Sequence, residues 1–138
     1  MKLYLAHPFY SREKIRKWEL ELEEKTGIEL INPFYDIKRE DIEKVDSGEK
    51  TRYDVDPTEI VQRDVAQIAR EDVRGTIAII DGNLSYGTIQ EMVYSKMLQK
   101  PVYSLITNEH ENHAWLKYHS RKIFTDEQSL ENFLERIS

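Results

Sequence analysis

The run Gly75-Thr76-Ile77-Ala78-Ile79-Ile80 constrains the fold more than any other segment. A strand with one face in water alternates apolar and polar side chains, whereas a continuous apolar, β-branched run marks a strand covered on both faces. Asp81-Gly82-Asn83 supplies turn chemistry and ends the run. From Gly87 onward, Ile89, Met92, Val93 and Met97 recur at helical spacing. Glu91 therefore falls near the start of an amphipathic helix, where unpaired backbone N–H groups and the positive end of the helix dipole favour an ionised carboxylate. A Glu so placed suits a nucleophile, and equally a plain dipole partner of a first helical turn.

The rest of the chain alternates in the same way. Residues 2–6 read as a first strand. Residues 12–25 read as a helix with Ile15, Trp18 and Leu22 on one face, ending at Gly27 as C-cap. Residues 28–31 read as a second strand, stopped by Asn32-Pro33. Residues 36–56 are densely charged with few apolar anchors, and are expected to be a mobile insertion, either a lid that closes over bound substrate or an uninvolved surface loop. Asp56-Pro57-Thr58-Glu59 combines an N-cap residue, Pro at the first helical position and Glu at the third, opening a helix to about residue 72. Residues 101–106 read as a fourth strand and Ile123-Phe124 as a short fifth. Thr125 with Gln128 is expected to cap a last helix that uses Leu130, Phe133, Leu134 and Ile137. Helices alternating with buried strands imply an α/β fold with a parallel, doubly wound sheet, as a single domain over residues 1–138.

Composition removes several function classes. A net charge of −6 argues against a nucleic acid polymer or an anionic membrane as the main partner, because both are bound through surplus Lys and Arg. The chain has no cysteine, which excludes disulfides, thiolate catalysis and Cys-based zinc sites. There is no apolar run of about 18 residues, and the N-terminus is strand-like rather than a charged and apolar leader. A cytoplasmic protein is the expectation.

In doubly wound sheets the ligand crevice lies beyond the carboxyl ends of the strands. The segments there are rich in polar residues: His7 to Arg12, Asn32 to Asp36, Asp81 to Glu91, and Thr107 to His113. Asp64 adds a carboxylate within the stripe of Ile60, Val61, Val65 and Ile68, which is costly unless the group is paired or functional. Pairing with a backbone N–H, Arg63 or Arg70 is the structural alternative. Ser11-Arg12-Glu13-Lys14 brings a hydroxyl, a guanidinium and free N–H groups to a helix start, which suits a phosphate or a plain N-cap. His110, His113 and His119 are irregularly spaced and no carboxylate motif accompanies them, so no metal is expected. Neither a glycine-rich dinucleotide fingerprint nor a phosphate-cradling Lys loop is present, and no cofactor is expected.

Tyr4-Leu5-Ala6-His7-Pro8-Phe9, Asp64, and Ser85-Tyr86-Gly87-Thr88-Ile89-Gln90-Glu91 together resemble the nucleoside 2-deoxyribosyltransferase family, over residues 1 to about 101. The resemblance implies a flavodoxin-like fold and cleavage of the N-glycosidic bond of a deoxynucleoside. It implies Glu91 as the nucleophile attacking the anomeric carbon, Tyr4 as the group that orients that carboxylate, and Asp64 as the acid that helps protonate the leaving base. The types fit an oxocarbenium-like transition state, which needs a carboxylate on one face and a proton donor for the departing group. The acceptor is a second nucleobase in a transferase and water in a hydrolase. Gly87, His7, Phe9 and Asn108 are implied in substrate binding, and the family's habit of completing the pocket from a neighbouring subunit implies a homo-oligomer.

One departure bears on substrate. Six positions before Glu91, where transferases of this family usually carry Asp, this chain has Ser85, as in the related nucleoside 5′-monophosphate N-glycosidases. A hydroxyl tolerates a bound phosphate that a carboxylate would repel, and Ser11 and Arg12 suit the same phosphate. Asp81 lies nearby and is the alternative sugar contact. The reading is a deoxyribosyl transferase acting on nucleosides and free nucleobases, with a 5′-monophosphate N-glycosidase as first alternative and a non-catalytic nucleotide-binding module as second.

Overall fold

A computed structural model describes residues 1–36, 48, 55–83 and 85–138. The described residues build one parallel sheet of five strands in the order β2-β1-β3-β4-β5. The elements in chain order are β1 (Lys2–Ala6), α1 (Arg12–Thr26), β2 (Glu29–Ile31), α2 (Pro57–Ala69), β3 (Val73–Ile80), α3 (Tyr86–Met97), β4 (Val102–Ile106), α4 (Ala114–His119), β5 (Lys122–Phe124) and α5 (Glu127–Ile137). The order is that of the flavodoxin-like doubly wound fold, as expected. The charged insertion at 36–56, expected to be a lid or a surface loop, lies outside the described residues except at its ends and Gly48.

Strand parity divides the core in two. Successive side chains of β1 point to opposite faces, so Leu3 and Leu5 join Ile15 and Leu22 of α1 and Leu130 and Leu134 of α5. Tyr4 and Ala6 join Ile68 of α2, Met92 of α3 and Leu116 of α4. Each fully buried aliphatic side chain contributes about 1.5–3 kcal/mol by leaving water, and β3 sends residues both ways: Ile77 and Ile79 to the first layer, Ala78 to the second. The continuous apolar run of β3 thus reflects cover on both faces.

Local chemistry explains the element ends. Gly27 ends α1 with φ 73°, a left-handed conformation that suits glycine, and its N–H bonds Glu23 O. Asp56 caps α2 by accepting from the N–H groups of Thr58 and Glu59. Lys100 Nζ closes the other end of that helix, donating to the carbonyls of Ile68 and Arg70 at 2.7 Å each. Gly75 is required where β3 runs alongside Pro101, because a Cβ there would sit 2.7 Å from the Pro101 carbonyl oxygen.

Four sequence expectations are corrected. The last helix is capped by Asp126, not Thr125: the Asp126 carboxylate takes both the N–H and the hydroxyl of Ser129. Helix α2 ends at Ala69 because the chain turns at Arg70 to enter β3 at Val73, two residues before the expected start. Val61 is 57% exposed, so the buried stripe of α2 runs through Ile68 without it. Helix α4 was not foreseen, being six residues long, too short to carry a periodic signal.

Candidate active site

Topology brings the candidate residues to one end of the sheet. Helix α3 starts at the carboxyl end of β3. Helix α2 runs back toward the amino end of β3, so its first turns also lie at the carboxyl ends of the strands. On α3 the buried positions are Thr88, Met92 and Ser95. Glu91, three residues after Thr88, flanks that inward face. Parity places the buried Tyr4 ring on the same side of the sheet, and its hydroxyl donates a hydrogen bond to Glu91 Oε2. A residue of the first strand and one 87 positions later are thereby joined. Asp64 is half-buried on α2, one helical turn before the fully buried Ile68.

A second cluster forms at the tips of β1, β3 and β4. Asp81 accepts from the Ser11 hydroxyl at 2.5 Å and from the Asn83 N–H at 2.8 Å. Asn83 Nδ2 donates to Ser11 Oγ at 3.0 Å, and Asn108 Nδ2 donates to the Asp81 carbonyl at 2.9 Å. Asn108 Oδ1 is buried without a hydrogen-bond partner among the described residues. An orphaned buried acceptor is costly until a donor reaches it, and a ligand N–H or O–H is such a donor. Asp81, Asn83, Ser85, Asn108, His113 and Trp115 are among the residues lining a cavity of about 540 Å³. That volume is in the range of small-molecule sites.

Ser85 is the N-cap of α3: its Oγ accepts from the Thr88 N–H at 3.3 Å and lies 2.6 Å from Thr88 Oγ1. Gly87 follows in the first turn, and among the described residues a Cβ there would meet no atom from beyond its own helix turn within 4 Å. Packing against the described residues therefore does not demand glycine at this position. Ser11 stands at the N-cap position of α1 without a side-chain capping bond, because its hydroxyl is given to Asp81. Arg12 lies over the Phe9 ring at 3.9 Å and donates to the Phe9 carbonyl at 3.0 Å. Phe9 packs edge-on against Phe34 at 5.7 Å.

His7 is 3% exposed, with Nε2 3.0 Å from Asn32 Oδ1 and Nδ1 3.1 Å from the Pro8 carbonyl. Burial lowers its pKa against smaller raising effects of Asn32, the Pro8 carbonyl and Asp81, so it is neutral at neutral pH. Sequence reasoning missed Asn83 and Phe34 as parts of the site. Both lie in segments it had marked at strand tips, and the signal was position rather than motif. Among the described residues no cluster of three or more His, Asp or Glu could hold a metal ion, and no helix is long and apolar enough to cross a membrane.

No family model and no curated protein matches the chain. Solved structures do. A 2-deoxyribosyltransferase from the psychrotolerant bacterium Bacillus psychrosaccharolyticus superposes with a TM-score of 0.68 at 20% identity, covering 96% of this chain and 91% of that one. A CMP N-glycosidase from Clostridium botulinum superposes with a TM-score of 0.61 at 22% identity, over 100% of both chains. At these identities the likeness establishes a shared fold along the full chain.

Proposed function

We propose that the protein cleaves the N-glycosidic bond of 2′-deoxynucleosides and passes the deoxyribosyl group to a second nucleobase. The contact between the Tyr4 hydroxyl and Glu91 Oε2 carries the reading. A buried tyrosine tied to a half-buried carboxylate fixes the carboxylate plane, which a nucleophile needs and a dipole partner does not.

In the first step a Glu91 oxygen bonds to C1′ of the sugar as the C1′–N bond breaks, and the departing base takes its electron pair and a proton from Asp64. In the second, a nitrogen of the incoming base bonds to C1′ and Glu91 leaves with its electron pair, while Asp64 accepts the proton. Two inversions give net retention. Asp81, held by Ser11 and Asn83, is the sugar hydroxyl contact in this scheme, and Asn108 offers its acceptor to the ligand. Gly87 lets the ligand approach α3 closely, and Phe9 with His7 and Arg12 walls the base.

A 5′-monophosphate N-glycosidase is the second reading. Ser85 in place of a carboxylate favours it, and so does the likeness in fold to a CMP N-glycosidase. The Ser11 hydroxyl weighs the other way, because it faces Asp81, whose charge would repel a phosphate at that spot.

The partners are a small nucleoside or nucleotide and a free base. Trp115 and Tyr118 are exposed on α4, at 69% and 67%, and Met97 is exposed at 75% on α3. The exposed aromatic rings of α4 support a second copy of the chain as a further partner, and light scattering across a dilution series tests it.

Chromatography of parallel panels of deoxynucleosides and their 5′-monophosphates, with and without a second base, tests the function. New nucleoside formed by the wild type and absent with Glu91→Ala is the expected result. Free base from monophosphates alone establishes the second reading, and no product from either panel overturns both.

A further inference from the structure

Glu19 has no part in the chemistry above, yet it is fully buried on α1 between Ile15 and Leu22. Its Oε2 accepts from Asn32 Nδ2 at 2.7 Å and its Oε1 from Arg16 Nη1 at 3.0 Å. Asn32 is equally buried, and its Oδ1 accepts from the Phe34 backbone N–H at 3.0 Å. A backbone N–H only donates, so the oxygen of the Asn32 amide must face Phe34 and the nitrogen must face Glu19. That orientation has a consequence for His7. Its Nε2 lies 3.0 Å from the same Oδ1 and its Nδ1 3.1 Å from the Pro8 carbonyl, so two acceptors compete for the one proton of the neutral ring, and the hold of Asn32 bears on which nitrogen keeps it. Beyond the hydrogen bonds the path continues through rings: His7 packs edge-on against Phe34 at 4.9 Å, and Phe34 against Phe9 at 5.7 Å.

We propose that Glu19 is a positioning residue that acts through Asn32, His7 and Phe34 on the aromatic wall at Phe9, its charged form setting that wall for the nucleobase. The proposal rests on the reading of the site as one that takes a nucleoside or nucleotide. A charged acceptor holds an amide N–H more tightly than a neutral one, and here that amide fixes two loops, after β1 and after β2. When Glu19 takes up a proton, its grip on Asn32 weakens and the base wall loosens.

The surroundings allow the switch near neutrality. Burial raises Glu19 to about 7, against the lowering effects of the Asn32 bond and of Arg16, while Asp36 adds to the rise. Among the described residues, these charged and titratable groups face it or its partners. Arg16 on α1 bonds both Glu19 and Asp36, the latter at 3.1 Å. Asp36 also accepts from the Asn32 N–H at 2.7 Å. Glu23, one turn further along α1, is itself raised by burial. His7 comes from the loop after β1. From α5, Glu131 is engaged by Trp18 and Lys25.

Glu19→Gln tests the inference, since it keeps the volume and one acceptor oxygen but cannot ionise. In the wild type, KM for the best nucleoside or nucleotide substrate should rise about fivefold from pH 8 to pH 6, the difference between a charged and a neutral hydrogen bond. In the variant it should hold the higher value at both, with kcat at pH 8 kept. A variant whose KM follows the wild-type profile overturns the inference and leaves the function standing. The 15N shifts of the His7 ring provide a readout that needs no turnover, so failure of the functional reading stays distinguishable. A step near pH 7 that disappears in Glu19→Gln is expected, and the same step in both proteins overturns the inference.

Discussion

The Tyr4 hydroxyl and Glu91 Oε2 meet between the second residue layer of the sheet and α3, joined by a hydrogen bond. Neither residue could be placed against the other by local rules. Tyr4 is oriented by strand parity, Glu91 by the phase of a helix that begins at Tyr86, and the parallel order of β1 and β3 sets one beside the other.

Removing either partner separates chemistry from folding. Glu91→Ala should abolish turnover by several orders of magnitude while costing the fold only about 1–3 kcal/mol, the penalty of leaving the buried Tyr4 hydroxyl without its acceptor. Tyr4→Phe keeps the buried ring and loses only the hydroxyl, so kcat should fall about 10- to 100-fold, as when a hydrogen bond worth about 1.5–3 kcal/mol to a charged group is lost. Steady-state kinetics beside urea unfolding curves checks both. A Tyr4→Phe variant with wild-type kcat would take the orienting role away from Tyr4.

In the proposed scheme Asp64 protonates the leaving base, and that role has a specific signature. Asp64→Asn should slow substrates with poor leaving groups far more than those whose base departs unprotonated, by about 10²-fold or more for general acid catalysis. Comparing kcat for a natural deoxynucleoside with that for a nitrophenyl-type deoxyriboside measures this. Equal slowing of the two would remove the acid role.

The legible part of this chain was the part written in local chemistry. The buried run of β3, the Asp56-Pro57 start of α2 and the Gly27 stop of α1 each carry their cause within a few residues. Helix α4 did not, because its six residues are fixed by Leu116 packing into the core and by the His113 ring accepting the Trp115 N–H. Glu19 was legible and missed. It lies at helical spacing between Ile15 and Leu22, so the test that singled out Asp64, a carboxylate within an apolar stripe, applies to it equally. Its partner Asn32 was visible as a residue that ends a strand and opens a polar segment at its tip, but nothing local says that a side chain 13 positions away will meet its amide.

The close approach of β3 to Pro101 yields a prediction about stability alone. In Gly75→Ala the added methyl meets the Pro101 carbonyl, which is backbone already bonded to the Thr76 N–H at 2.9 Å and cannot swing aside. The variant should lose about 1–3 kcal/mol, the usual cost of overpacking, with kcat per folded molecule unchanged. Denaturant midpoints and active-site titration together check it. Unchanged stability would mean that the two strands can part at little cost.

Glu19 carries the last prediction, in which stability and function oppose each other. Its pKa in the folded protein is about 7 against an ordinary 4.5, so the fold favours the protonated form. The sign follows by linkage: the stability gained from protonated Glu19 is fully present below about pH 4.5 and is lost as pH rises through about 7. Glu19→Gln has no such loss. Relative to the wild type it should gain stability between pH 5 and pH 8, by up to about 3 kcal/mol at roughly 1.4 kcal/mol per pKa unit. Urea unfolding of both proteins at the two pH values measures the difference, and a gap that is the same at pH 5 and pH 8 would show that burial does not raise Glu19. Together with a higher KM, the expected gain would identify Glu19 as a group whose ionisation costs the fold stability while keeping the base wall in register, the trade expected where a site is held in place by a buried charge.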